Sequence, residues 1–369
     1  MFTFEVASTS GVARTGTITT PRGAIQTPCF MPVGTRAAVQ TLTSHDLADL
    51  EAQIILGNTY HLMLRPGADL IEEMGGLHGF MNWPGFVLTD SGGYQIFSLE
   101  PKVDDEGALF RSTYDGSKHK LTPESAVDIQ IKLGSDIQMV LDVCPPLPAP
   151  ESVILNAVDQ THRWAVRARS AFLDRAELAD GMRAQFGIVQ GGLDLDLRVK
   201  SANFLTDIGF EGYGIGGLSV GEKRTEMLSP LRATTDVLPV DQPRYLMGVG
   251  DPLSIVEGIA NGVDMFDCVL PTRLARHGTV LTTDGRINLK NAQYARDPGP
   301  VDPKFANSPL APWSRAYLRH LLQVKEQAAS RLLTLHNIAF LFDLVDQARA
   351  AIEDNTIDEL VDRVARNWS

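Results

Sequence analysis

Disulfide chemistry has almost nothing to work with in this 369-residue chain: its three cysteines, Cys29, Cys144 and Cys268, lie far apart, each in an apolar run. That pattern excludes a disulfide frame and fits reduced, buried thiols of a cytoplasmic protein. No apolar run approaches the roughly 20 residues that span a bilayer, and Met1–Val6 lacks the basic region and apolar core of a signal peptide. No membrane partner is expected. Positive charge is also in deficit, with 33 Lys and Arg against 45 Asp and Glu, a net charge of −12. Such a balance argues against a protein that coats nucleic acid without specificity, but leaves room for a local basic patch. There is no low-complexity tract. What remains, 44% hydrophobic and 21% charged residues, is ordinary globular composition.

Residues 1–26 alternate polar and apolar around turn signals at Ser10-Gly11 and Pro21-Arg22-Gly23, and read as β-ribbons. Eight short apolar runs come next: Thr27–Val33, Ile54–Thr59, Phe86–Asp90, Ile137–Asp142, Phe186–Gln190, Tyr213–Gly217, Arg244–Val249 and Val263–Asp267. Runs apolar on both faces suit buried parallel strands, which need helical crossovers. Helical patterns lie between them, opening at Thr43, at Thr122-Pro123, over Asn156–Leu178, Asp194–Ile208, Glu222–Leu238 and Pro252–Ile259. This α/β alternation predicts a (β/α)8 TIM barrel, with an open doubly wound sheet as the competing fold. The barrel is expected over 1–273, with the N-terminal β-ribbon and a hairpin inserted after the third strand. Residues 274–369 are expected as a C-terminal appendage: a β-hairpin turning at Asp284-Gly285, a Pro-rich loop, then two or three helices.

In such a barrel chemistry sits at the C-terminal strand ends. Those ends carry Asp90 with Ser91, Gly92, Gly93 and Tyr94; Asp142 with Cys144; Gln190; Gly216-Gly217; Met247-Gly248; and Asp267. Each has a bland role open to it, as a cap, a core aromatic or loop punctuation. Jointly, three acids and an amide at one end of the strands point to a site, with glycines admitting a flat ligand. Asp267 closes a buried strand just before Arg273 and Arg276, which places a nucleophile or base beside an anion site. Paired carboxylates are the usual tools for breaking a glycosidic bond. An amide and an aspartate suit a purine edge, and Tyr94 and Met247 suit its two faces.

The motifs Asp90-Ser-Gly-Gly-Tyr-Gln-Ile-Phe-Ser, Gly187-Ile-Val-Gln-Gly-Gly, Gly216-Gly-Leu-Ser-Val-Gly-Glu, Tyr245-Leu-Met-Gly-Val-Gly, Asp264-Met-Phe-Asp-Cys-Val-Leu-Pro-Thr-Arg and Ser314-Arg-Ala-Tyr-Leu carry a resemblance over nearly the whole length. The chain resembles the bacterial tRNA-guanine transglycosylases. The resemblance implies exchange of guanine at the anticodon wobble position for a 7-aminomethyl-7-deazaguanine precursor of queuosine. It implies Asp267 as the nucleophile that becomes covalently linked to ribose, and Asp90 as general acid/base. Asp142, Gln190, Gly217 and Leu218 would read the base, Tyr94 and Met247 would stack on it, and Glu222 would serve its aminomethyl group. Cys144 and Val220 fit the precursor base better than queuine. The partner is a tRNA with a wobble guanine, met by Gly248, Val249, Gly250, Thr272, Arg273 and Arg276, and the family is homodimeric. Arg286, Lys290, Arg296, Lys304, Arg315 and Arg319 add local positive charge in the appendage. A paralogue acting on DNA or another RNA, or a non-catalytic tRNA-binding subunit, are the competing readings.

The sequence departs from the family in three places. The family's structural zinc is held by Cys-x-Cys-x-x-Cys and a later His; here the cysteine positions hold Phe305, Asn307 and Leu310, and only His336 survives. One imidazole cannot build a tetrahedral zinc site, so no metal or other cofactor is expected. Phe305, Pro309, Leu310, Pro312 and Trp313 are expected to form an apolar cluster in its place, with His336 as a hydrogen-bonded structural residue. Val143 stands where a glutamate is usual, and Asp251 where a lysine commonly meets RNA.

Overall fold

A computed structural model describes residues 2–175 and 183–368. The ribbon consists of β1 (Thr3–Ser10), β2 (Ala13–Thr20) and β3 (Gly23–Thr27), antiparallel in that order. The next strands are β4 (Cys29–Gly34), β5 (Ile54–Gly57) and β6 (Phe86–Thr89). The inserted hairpin, with one extra short strand, is β7 (Lys102–Val103), β8 (Ala108–Arg111) and β9 (Lys118–Leu121). Then come β10 (Ile137–Met139), β11 (Ala184–Val189), β12 (Gly212–Ile215), β13 (Arg244–Leu246) and β14 (Met265–Cys268). β4, β5, β6 and β10–β14 pair in parallel around a closed barrel, with β14 returning to β4 through Asp267 opposite Met31. All eight expected strands are present, and the open-sheet alternative is excluded by that closure.

Local chemistry explains the crossovers. Thr43 and Asp46 form a capping box, as do Thr122 and Ser125 ahead of Pro123, and Asp194 accepts from the Leu197 N–H. The expected helix over Asn156–Leu178 starts earlier, spanning Glu151–Leu173 behind Pro150. Residues 176–178 of that expectation lie outside the described residues. Asp251 caps the helix Pro252–Ala260.

The ribbon closes the N-terminal end of the barrel through one buried ion pair. Arg14 meets both carboxylate oxygens of Asp264, at 2.9 and 2.6 Å, with side chains 4% and 0% exposed. Asp264 also accepts the Arg244 N–H at 2.7 Å, and Arg14 donates to the carbonyls of Val240 and Gln242. Each guanidinium nitrogen of Arg14 and each carboxylate oxygen of Asp264 thus finds a partner, which makes the buried charges tolerable.

The appendage opens with β15 (Thr279–Thr282) and β16 (Gly285–Asn288), and ends in three helices: Arg315–Gln323, Gln327–Glu353 and Ile357–Trp368. The long Gln327–Glu353 helix is apolar and long enough to cross a bilayer by length and composition alone, contrary to the reading of the sequence. Its apolar face has another use: Phe340, Leu341, Leu344, Val345, Ala348 and Ile352 join the same core as the barrel strands. Asn337 on this helix accepts from the Leu281 N–H and donates to the Pro271 and Thr279 carbonyls.

The region where zinc was considered packs in two directions. Phe305 points to the barrel side, edge-on to His336 and Phe340, whereas Leu310 and Trp313 join Val301, Leu318 and Leu333 in a separate cluster. His336 is fully buried: Nδ1 accepts from the Ser308 hydroxyl at 2.8 Å and Nε2 donates to the Leu281 carbonyl at 2.7 Å.

Replacing Arg14 with Met leaves Asp264 charged, buried and without its guanidinium. Chemical denaturation should show a loss of about 3–5 kcal/mol.

Candidate active site

One cavity of about 550 Å³ opens at the C-terminal mouth of the barrel. Its walls include Asp90, Ser91, Gly93 and Tyr94 beyond β6, Asp142 and Cys144 beyond β10, and Gly217 and Leu218 beyond β12. Met247, Gly248, Val249 and Gly250 beyond β13, and Asp267 and Arg273 at and beyond β14, complete it. Asp90 and Asp267 therefore face one hollow, as the sequence reading required. Tyr94, 61% exposed, stands at the rim, and Met247 lies in the wall.

Asp267 is held by one edge only. Its Oδ1 accepts the Tyr245 hydroxyl at 2.6 Å and the Gly248 N–H at 2.7 Å, while Oδ2 has no hydrogen-bond partner among the described residues. Burial pushes its pKa up to about 6 against the pull of those donors, and the charge of Asp90 adds to the rise. Asp90 has four donors: Asn58 Nδ2 at 2.5 Å and Gln95 Nε2 at 3.0 Å on Oδ2, and the N–H groups of Thr59 at 2.8 Å and Gly92 at 3.1 Å on Oδ1. Burial still lifts its pKa above the ordinary value. Asp142 accepts Gln190 Nε2 at 2.6 Å on Oδ2; burial raises it to about 6, with Asp90 contributing. Three buried acids thus share one hollow, and the charge of Asp90 reaches both of the others.

Several residues named from sequence have partners within the protein, or lie outside the cavity. Gln190 is 2% exposed and spends its amide on Asp142. Gly216 and Gly217 line the cavity and also make room for Gln190: a Cβ on Gly216 would come within 2.7 Å of Gln190 Nε2, and one on Gly217 would meet Gln190 Oε1. Glu222 holds the loop after β12, accepting the N–H groups of Ser219 and Val220. A trans peptide turns its carbonyl away from its N–H, so the Leu218 carbonyl points away from Glu222. Gly250 packs on Cys268. Thr272 is buried and donates to the Val269 carbonyl. Arg276 is exposed on the helix Leu270–Arg276, outside the cavity.

The sequence reading missed the residues that hold the acids. Tyr245 opens the motif that was noticed for Met247, and Asn58 and Thr59 end the second barrel run. Arg198 was overlooked altogether. It is fully buried, its pKa pushed down to about 10 by burial, and it donates to the carbonyls of Gly192, Gly216 and Gly217. Its only sequence signal is an arginine on the inward face of an amphipathic helix.

A closed parallel barrel with a half-tethered carboxylate, a second acid and a third beside them defines a barrel enzyme of glycosyl transfer. A family sequence model described as queuine tRNA-ribosyltransferase matches residues 8–369. Proteins named queuine tRNA-ribosyltransferase from Herpetosiphon aurantiacus (52% identical, covering 98% of this chain and 91% of that protein), Desulforudis audaxviator (53%; 94% and 93%) and Pelotomaculum thermopropionicum (48%; 100% and 98%) are similar throughout. The chain belongs to the queuine tRNA-ribosyltransferase family, and so to the pentosyltransferases.

On the reading of Asp267 as the attacking group, which would have to be ionised, kcat/KM should rise with pH through the region near 6. Tyr245→Phe removes a donor that favours the carboxylate. The acid limb should then move up by about one pH unit.

Proposed function

We propose that the protein exchanges guanine at the wobble position of tRNA anticodons for 7-aminomethyl-7-deazaguanine, by double displacement through a covalent Asp267–ribose link. The observation that carries this is the asymmetric tether of Asp267: two donors fix Oδ1, and Oδ2 is left for bond formation in a cavity shared with Asp90. The target nucleotide is splayed from the anticodon loop, where RNA bases are accessible. Oδ2 attacks C1′ and the bond to guanine breaks. Guanine leaves with a proton from Asp90. The incoming base gives its ring proton back to Asp90 and displaces Oδ2, so both acids end as they began. Asn58 and Gln95 each carry an acceptor as well as donors, so turning either amide accommodates Asp90 in its protonated form. Filling of the hollow by the nucleotide and base would exclude water and so protect the covalent stage from hydrolysis.

Asp142, oriented by Gln190, offers Oδ1 to the N–H groups on the base edge. The Leu218 carbonyl, turned outward by the grip of Glu222 on the next N–H, is a suitable acceptor for the aminomethyl ammonium. Tyr94 and Met247 cover the base faces.

The same reading includes an appendage that needs no zinc. Phe305 and Leu310 are buried apolar side chains at cysteine positions, and both ring nitrogens of His336 are already bonded within the protein. Burial lowers the His336 pKa, which favours the neutral ring that this relay uses. Metal analysis should find less than about a tenth of an equivalent of zinc, and chelator should leave Tm unchanged. Stoichiometric zinc would overturn this part.

Asp267→Asn should abolish incorporation of labelled guanine into tRNA while retaining tRNA binding. It should also stabilise the fold. A carboxyl raised to about 6 favours folding fully only below its unfolded value near 3.8, and that contribution is lost as pH rises through 6. The variant should therefore gain on the order of 2 kcal/mol at pH 7 and almost nothing at pH 4.

A further inference from the structure

Arginines cluster beyond three neighbouring strands at the barrel mouth. β10, β11 and β12 end in Asp142, Gln190 and Gly217, the proposed base-reading side. β14, β4 and β5 are consecutive neighbours in the closed barrel, and the segment beyond each of them carries arginine. The helix after β14 holds Arg273 and Arg276, the loop after β4 holds Arg36, and Arg65 caps the helix Thr59–Leu64 after β5.

Arg36 and Arg65 do not stand as isolated surface charges. Both converge on Tyr114, in the turn between β8 and β9, with guanidinium carbons 5.3 and 4.9 Å from the ring centroid. The Tyr114 hydroxyl lies 3.0 Å from Nδ1 of His61, and His61 lines the active-site cavity. Neither guanidinium donates a hydrogen bond or forms an ion pair among the described residues. The acid beside Tyr114, Asp115, is occupied by Ser117. Ala37, next to Arg36, sits at φ +57°, a conformation costly for a residue with a side chain. One ring attracts each guanidinium by its face, but two cations at one ring repel, and no carboxylate relieves them. An anion bridging them removes that repulsion and uses the donors each fork still holds.

We propose that Arg36 and Arg65, steadied by Tyr114, form a phosphate clamp that grips the RNA backbone beside the flipped nucleotide. The inference rests on the transferase reading and adds a second backbone contact to the one at Arg273. A strand laid along the β14–β4–β5 arc brings its phosphates over cations while its target base turns into the hollow, towards Asp142. The sequence alone hid this: Arg36, Arg65 and Tyr114 are widely separated along the chain and meet only through the inserted hairpin.

The test is binding of an anticodon stem-loop RNA at a series of NaCl concentrations, by wild type and by the double variant Arg36→Ala, Arg65→Ala. Each lost phosphate contact flattens log K against log salt by about 0.7–0.9. The double variant should therefore lose about 1.5 from the slope and bind roughly tenfold or more weakly at low salt. Its KM for RNA should rise about tenfold, with KM for free guanine within about twofold of wild type. Arg36→Lys with Arg65→Lys should restore the slope, which a merely misfolded variant could not mimic. An unchanged slope and affinity in the alanine variant overturns the clamp, as does a wild type that fails to bind the RNA. If wild type binds with the arginine-dependent slope but exchanges no guanine, the clamp stands and the transferase reading falls.

Discussion

Three carboxyl groups drawn out of water into one hollow set the terms for the rest of this molecule. Each prefers to be neutral there, yet the exchange proposed above needs at least one of them ionised and nucleophilic. The fold meets that demand unevenly. Asp90 receives four donors, Asp142 one amide, and Asp267 two donors on a single oxygen. Those donors come from β5, β6, β11 and β13 or from the loops beyond them. Only a closed barrel brings so many strand ends to one point, so closure and reactivity are the same structural fact.

The architecture was legible because the barrel strands are buried on both faces and therefore write themselves as apolar runs. All eight appeared in the expected segments, and the helix starts followed their capping residues. The acids were legible because they end those runs. Their partners were not. Tyr245 and Asn58 look like ordinary strand residues, and nothing in the order of residues says that the Tyr245 hydroxyl reaches Asp267. The glycine pair at 216–217 showed only half its use in the sequence: it lines the cavity and also leaves room for Gln190. The Glu151–Leu173 helix began five residues early, since Pro150 fixes the entry more firmly than the hydrophobic pattern that starts at Asn156.

In the appendage, Phe305 and Ser308 meet His336 with an aromatic edge and a hydroxyl. The imidazole becomes a relay between Ser308 and the Leu281 carbonyl. The cluster expected there is really two, because Phe305 turns to the barrel while Leu310 and Trp313 turn to the hairpin.

The long helix Gln327–Glu353 and its neighbour reach back to the first residues of the chain. Arg349 donates to the Pro28 carbonyl at 2.6 Å, and the Ser10 hydroxyl donates to Asn355 at 2.7 Å. During synthesis the opening ribbon and β4 leave the ribosome long before the segments that cover them exist. The nascent barrel therefore carries an uncovered apolar flank until those later segments have been made, and in that interval aggregation competes with their docking.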